Sequence, residues 1–326
     1  MPSKTSIEWT DYNWNFLRGC SRVSEGCRNC YAEKIAGRFS GEGMAYAGLA
    51  RMVNHEARWT GELSFHEDIL LAPLKRKPPT TYFVNSMSDL FYEKVTDEML
   101  DKAFAVMALT PQHTYQILTK RPERMKEYLN SIQQYEYHLS SYWLGDWVSM
   151  GMDRESYRLL ETIYINKPLP NVWLGVSCED QKTADERIPL LLETPAAIRW
   201  ISAEPLLGPI DLTRIGSPFE KLNRLAPHQE AVDMGVYENR HGLDWVVVGG
   251  ESGPGARACD IGWIRSIVEQ CKAAGVPAFV KQLGAKPFMG VKGFGPVITN
   301  RKGGDPSEWP ENLRVRDFPR LENTNQ

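Results

Sequence analysis

The sequence predicts an α/β fold, a partial or closed (β/α) barrel carrying two insertions. Three observations point there. Short, nearly continuous apolar segments recur between residues 82 and 280, which is how strands of a parallel sheet covered on both faces read. Amphipathic helical patterns separate those segments, as parallel crossovers require. No glycine-rich phosphate fingerprint follows the first strand, and six or seven strand–helix units suit a barrel better than a flat doubly wound sheet.

Residues 7–18 read as an irregular aromatic lead-in with Trp9, Tyr12, Trp14 and Phe16, and 31–39 have the formers and spacing of a helix. Residues 40–62 are glycine-rich and read as irregular; Leu63 to Leu74 reads as a short strand or turn and then a helix, stopped by Pro78-Pro79. The first clear strand is Tyr82–Asn85. Its helix takes Thr96 as N-cap and places Met99, Leu100, Ala103, Phe104 and Met107 on one stripe. Thr114–Leu118 is a strand whose helix is opened by Pro122. After an insertion at 130–168, Val172–Val176 is a strand, and its helix carries Ala184, Ile188, Leu191 and Leu192. Ile198–Ile201 is a strand, a second insertion covers 212–242, and Trp245–Val248 is a strand. Asp260 caps a helix with Ile264, Ile267, Val268 and Cys271 on one face; Ala278–Val280 is the last strand. The expected organisation is one barrel domain over 1–285, with a cysteine loop at 19–31, and a surface tail over 286–326.

The 326 residues are 42% hydrophobic and 24% charged, the profile of a globular protein. No eighteen-residue apolar run appears, so no membrane span is expected, and the N-terminus shows no apolar signal core. The expected location is the cytoplasm, where thiols stay reduced and a metal reading of clustered cysteines outranks a disulfide. A net charge of −3 argues against bulk nonspecific nucleic-acid binding and leaves room for a local basic cleft.

The cysteines are the informative feature. Cys20, Cys27 and Cys30 stand in the spacing C-x6-C-x2-C, with Gly19 before the first and Gly26 before the second. Two thiolates two residues apart can reach one metal, and Gly26 is expected to fold the backbone back so that Cys20 joins them. A structural zinc site takes four protein ligands; three leave one coordination position open for a substrate or cofactor. Cys178, Cys259 and Cys271 read as structural.

Polar residues also gather at the C-terminal ends of the predicted strands: Ser86 and Asp89, Lys120 and Arg121, Ser177 and Glu179, Glu204, Glu251 and Arg257, Lys281 and Gln282. In a barrel these surround one mouth, where such folds keep their active sites.

With an aromatic residue beside the last cysteine, this arrangement resembles the radical S-adenosylmethionine superfamily, and Gly249-Gly250-Glu251 is similar to its Gly-Gly-Glu-Pro motif. The first gap is six residues where the superfamily usually has three, and the Gly-Gly-Glu string follows a later strand. The whole chain is more similar still to a phage-associated three-cysteine family without assigned chemistry, through Met-Ser-Asp-Leu-Phe at 87–91, Leu-Thr-Lys-Arg at 118–121 and Gly-Gly-Glu-Ser-Gly at 249–253. Asn15-Phe16 stands where that family has Asn-Pro.

The superfamily resemblance implies a barrel of the radical-SAM type. It implies a 4Fe-4S cluster on Cys20, Cys27 and Cys30, with S-adenosyl-L-methionine chelating the fourth iron. Reductive cleavage of that cofactor would give a 5′-deoxyadenosyl radical that abstracts hydrogen from a substrate, here expected to be a nucleotide or nucleic acid. Tyr31, Ser86, Ser177, Gly249, Gly250 and Glu251 or Glu204 are the implied cofactor contacts. Arg121, Arg257, Lys281 and Gln282 are the implied substrate contacts, and Lys120, Asp89 and Glu204 the catalytic candidates. A flavodoxin- or ferredoxin-like electron donor is the implied partner.

Two other functions compete. One is a zinc-stabilised nucleic-acid-binding protein in which His55 or His66 completes a Cys3His site. The other is a metal-free barrel lyase or hydrolase using Lys120 with Asp89 or Glu204.

Overall fold

The structure is a computed structural model and describes residues 2–5, 7–134, 168–217, 220–225, 242–291 and 295–319. Most of the first expected insertion, and residues 218–219 and 226–241 of the second, lie outside them. Eight strands form one mostly parallel sheet whose spatial order is the chain order: β1 (Ser3–Lys4), β2 (Tyr12–Trp14), β3 (Thr81–Val84), β4 (Thr114–Thr119), β5 (Val172–Ser177), β6 (Ile198–Ala203), β7 (Trp245–Gly249) and β8 (Ala278–Gln282). Sequential order is what short right-handed crossovers produce. The barrel alternative with full closure is not found: among the described residues no ladder joins β8 back to β1. The chain divides into two compact units, Met1–Leu174 with Glu193–Ala197, and Gly175–Leu192 with Ile198–Gln326.

In the first unit β2 pairs parallel with β3 and β3 with β4, while β1 lies antiparallel on β2. The aromatic lead-in therefore holds a sheet strand. Its three residues are too few to show a period, and its apolar content is aromatic. Trp14, Phe16, Tyr82 and Tyr115 are fully buried, with Trp14 and Tyr115 ring centroids 5.1 Å apart and Tyr82 stacked on Tyr115 at 5.5 Å. These rings fill the core. Helix α1 (Tyr31–Arg38) begins directly after Cys30. It packs on a hairpin of Ala50–Val53 against Glu56–Trp59, in the stretch expected to be irregular. Asn54 and His55 turn that hairpin with φ of 49° and 63°, a primed turn without its usual glycine. Helix α2 (Asp97–Ala108) is capped by Thr96, whose hydroxyl accepts from the Met99 N–H. Helix α3 spans Pro122–Gln134.

In the second unit β6, β7 and β8 run parallel. Helix α4 (Gln181–Leu192) packs on β6, and helix α5 (Ile261–Ala274) on β7 and β8. Ile264, Ile267, Val268 and Cys271 of α5 are buried and Asp260 caps it, accepting from the Gly262 N–H. Within 286–326, Trp309 and Leu313 are buried, and the Val280 N–H donates to the Val315 carbonyl at 2.9 Å.

Candidate functional site

Parallel strands present their C-terminal ends at one edge, so in the first unit the segments after β2, β3 and β4 meet there. Gly19 bridges Ser88, and the Ser88 hydroxyl donates to the Gly19 carbonyl at 2.7 Å. Gly19 has φ of +100°, and a Cβ there would stand 2.1 Å from the Glu62 carbonyl oxygen. Gly26, expected to make the tight turn, sits in a 3-10 turn over Glu25–Cys27 without positive φ. The glycine the loop requires is therefore at its entrance, where backbone passes backbone.

Two arginines hold the cysteine loop. Arg22, inside the six-residue gap, pairs with Glu33 of α1 and donates to the Arg28 carbonyl at 3.2 Å. Glu33 is buried and also accepts from the Trp59 N–H at 2.9 Å, so one carboxylate links loop, helix and hairpin. From the end of β4, Arg121 donates through Nη2 to Ser21 Oγ at 2.8 Å and to the Ser21 carbonyl at 3.2 Å. Its Nη1 meets Asp89 Oδ2 at 3.0 Å and Cys20 Sγ at 3.9 Å, and its Nε meets Glu93 at 2.7 Å. Asp89 accepts further from Thr119 Oγ1, the Lys120 N–H and the Phe91 N–H. Arg121 and Asp89, expected to meet substrate and move protons, are thus buried and bound to each other and to the loop. Lys120 is half-buried beside them.

Burial first, then the Asp89 carboxylate, pushes the Cys20 thiol up to about 12, while Arg121 pulls the other way. Burial raises Cys30 as well, with the Cys27 sulfur adding to it, and the first-turn N–H groups of Glu33 and Ala32 favour its anion. Their sulfurs are not drawn to one point: among the described residues no three His, Cys, Asp or Glu side chains stand together as a metal-holding group. His55 is exposed at the hairpin turn, and His66 Nε2 lies 2.9 Å from Ser64 Oγ. The donor set fits an iron–sulfur cluster in kind, being three soft sulfurs on one loop. Tyr31, next to Cys30, is 53% exposed, and its hydroxyl donates to the Ser86 carbonyl at 2.6 Å. Ser86 Oγ donates to Asn15 Oδ1 at 3.1 Å.

The second unit gathers its own strand ends. Lys281 Nζ lies 2.8 Å from each Glu204 carboxylate oxygen, and Gln282 Nε2 donates to Glu204 Oε1 at 3.1 Å and to the Gly250 carbonyl at 2.8 Å. Glu251 is buried and held by Arg257, whose Nη2 is 2.7 Å from Oε1 and whose Nε is 3.0 Å from Oε2. A Cβ on Gly250 would meet the Leu283 carbonyl at 2.3 Å, and one on Gly249 the Gln282 carbonyl at 3.2 Å, so this string is glycine because two backbones touch. Ser177 is buried, its carbonyl accepting from Arg187 at 2.7 Å, and Glu179 pairs with the same arginine at 3.1 Å. Arg22, Glu33, Ser21 and Glu93 escape sequence reasoning, since polar pairs eleven to a hundred residues apart carry no local period.

The chain belongs to the family described as "Protein of unknown function (DUF5131)", which it matches over residues 4–303. That match assigns neither an activity nor a phage origin. No curated protein matches the sequence. Among solved structures, it is similar to spore photoproduct lyase complexed with dinucleoside spore photoproduct, at 11% identity and a TM-score of 0.36, covering 76% of this chain and 58% of that one. A double mutant of spore photoproduct lyase with bound AdoMet and dinucleoside spore photoproduct gives 12% identity and a TM-score of 0.34, covering 63% and 48%. The chain thus spans about half the length of the structures it matches, and likeness at this level carries no functional weight.

Proposed function

We propose that the chain is a radical S-adenosylmethionine enzyme whose Cys20, Cys27 and Cys30 hold a 4Fe-4S cluster. The observation that carries the reading is the cysteine loop itself: three free thiols on one loop clamped by Arg22 and Arg121, at the edge where three parallel strands end. When bound, the cluster and cofactor supply one-electron reductive cleavage of a sulfonium carbon–sulfur bond and hydrogen-atom abstraction, with the electron from a low-potential flavodoxin- or ferredoxin-like donor.

Cys20, Cys27 and Cys30 would hold the cluster as thiolates; without it, burial favours the protonated thiol at Cys20 and Cys30. Arg121 and the first turn of α1 favour the anionic sulfurs. Tyr31 offers an exposed ring, anchored at its hydroxyl, for an adenine to lie against. In the second unit, the carboxylates of Glu204 and Glu251 are each held in one orientation by a cation. The substrate reading is a nucleotide or nucleic-acid segment, whose phosphates the exposed Arg28 within the loop suits.

Anaerobic purification followed by iron and sulfide analysis tests this. The expected result is a brown protein with about four of each per chain. Cys→Ala at 20, 27 or 30 is expected to abolish the cluster and the dithionite-driven release of 5′-deoxyadenosine from the cofactor. One equivalent of zinc and no colour after reconstitution would replace this reading with the zinc-stabilised alternative.

A further inference from the structure

A parallel sheet covered on both faces carries apolar side chains on both; the sheet of the first unit does so on one. Side chains alternate between the faces of a strand, so Trp14 of β2, Tyr82 and Val84 of β3, and Tyr115 and Ile117 of β4 share a face, where all are buried. The chain connections close that face: the Trp14 indole donates to the Ile69 carbonyl at 2.9 Å, and the Tyr115 hydroxyl lies 2.6 Å from Thr110 Oγ1. On the opposite face the register sets Asn13 beside Phe83 and Phe83 beside Gln116. Phe83 is half-buried although β3 has a strand on either side, so the surface it keeps open lies on this face. Leu118, two residues beyond Gln116, is half-buried as well. The Trp9 ring meets Phe83 edge to face, with centroids 4.9 Å apart.

Gln116 is fully buried. Its Nε2 donates to the Trp9 carbonyl at 3.2 Å, which fixes how the amide is turned, since a carbonyl takes only a donor. Oε1 is left as an acceptor with no hydrogen-bond partner among the described residues, and Asn13 Oδ1 is a second. Buried polar atoms nearly always have a partner. These two flank Phe83, their backbones two strand spacings apart, about 10 Å. An anion gains nothing from two carbonyl oxygens, whereas a group with N–H hydrogens does. A flat ring suits the open aromatic ground between them.

We propose that this open face, at Asn13, Phe83 and Gln116, binds a nucleobase that carries an amino group. The two amide oxygens accept from its N–H groups and Phe83 lies against its ring. The proposal rests on the reading above for calling that base the substrate's, while the binding itself requires no cluster. The row lies within the strands, short of the edge where Tyr31 meets the Ser86 carbonyl, which sets it apart from the ring offered to the cofactor's adenine.

Isothermal titration of the full chain with cytidine, adenosine and their deaminated counterparts, uridine and inosine, tests this. Cytidine or adenosine is expected to bind roughly tenfold or more tightly than its counterpart, with S-adenosylmethionine present at saturation as without it. Asn13→Leu and Gln116→Met keep the bulk and remove the acceptors, and each is expected to cut that preference several-fold. A purely structural role would weaken both members of a pair alike and leave the preference where it was. Should Gln116→Met not fold, for want of its hold on Trp9, Asn13→Leu carries the comparison. No saturable binding of any of the four nucleosides, equal affinity within each pair, or an unmoved preference in Asn13→Leu overturns the proposal. Displacement of the nucleoside by S-adenosylmethionine also overturns it, by making this the cofactor's own adenine site. A chain that takes up no iron or sulfide yet prefers the amino-bearing nucleosides overturns the cluster reading alone and leaves the base-binding face standing.

Discussion

At Gly19 a single atom decides what the residue can be. A β-carbon would stand 2.1 Å from the Glu62 carbonyl oxygen, on a backbone already at φ +100°. Neither neighbour is a flexible side-chain end, so nothing cheap can give way. Gly19→Ala is expected to destabilise the chain by about 1–3 kcal/mol from backbone strain, with the overlap adding to it. Urea denaturation measures this, and unaltered stability would show that the close approach is not maintained in solution. Cys20, one residue on, is placed by that same passage. At the opposite end of the loop Cys30 sits at the N-terminus of α1, where first-turn N–H groups favour its anion. Its CxxC spacing and the helix formers after it are legible in the sequence. The need for glycine at 19 is not, because Glu62 arrives from forty residues away.

At the level of elements, the cysteine loop, α1 and the hairpin are joined through Glu33. This buried carboxylate accepts from Arg22 on one side and from the Trp59 N–H on the other. Glu33→Gln keeps the shape and removes the charge. Since Arg22 is partly exposed, the expected loss is modest, about 1–3 kcal/mol for a charge-assisted buried hydrogen bond. Limited proteolysis within 40–60 should speed up along with it, and unchanged cleavage would mean that the carboxylate does not couple the elements. The helices that follow clear strands were readable because their stripes and caps are local: Thr96 and Asp260 cap where capping chemistry places them. The strand at Tyr12–Trp14 and the hairpin at 50–59 were not. One is too short for a period, and the other turns on Asn54 and His55 in place of glycine.

For the whole molecule, two buried cysteines give a pH prediction. Cys271 is buried on the inner face of α5, and burial pushes its thiol up to about 12 from an ordinary value of 9.0. Cys259 is raised likewise by burial, with Asp260 adding to it. A folded value above the unfolded one means stability is fully present below pH 9.0 and is lost as pH rises towards 12. Stability against denaturant should therefore fall over that window, and Cys271→Ala should flatten the slope while lowering stability at neutral pH through the cavity it leaves. An equal slope in that variant would assign the alkaline loss to other groups. Among the described residues no helix is long and apolar enough to cross a membrane, in keeping with the mixed composition.

The alternation of strand and helix, the caps, the cysteine spacing and the polar strand ends are legible from the chain alone, because each of these is written in neighbouring residues. Folding settles that the sheet follows chain order without closing among the described residues, and that Arg121 meets Asp89 and a cysteine rather than open space. It also decided that Glu204 meets Lys281. Those outcomes depend on long-range register, and a charged side chain takes whichever partner the packed backbone brings within about three ångströms.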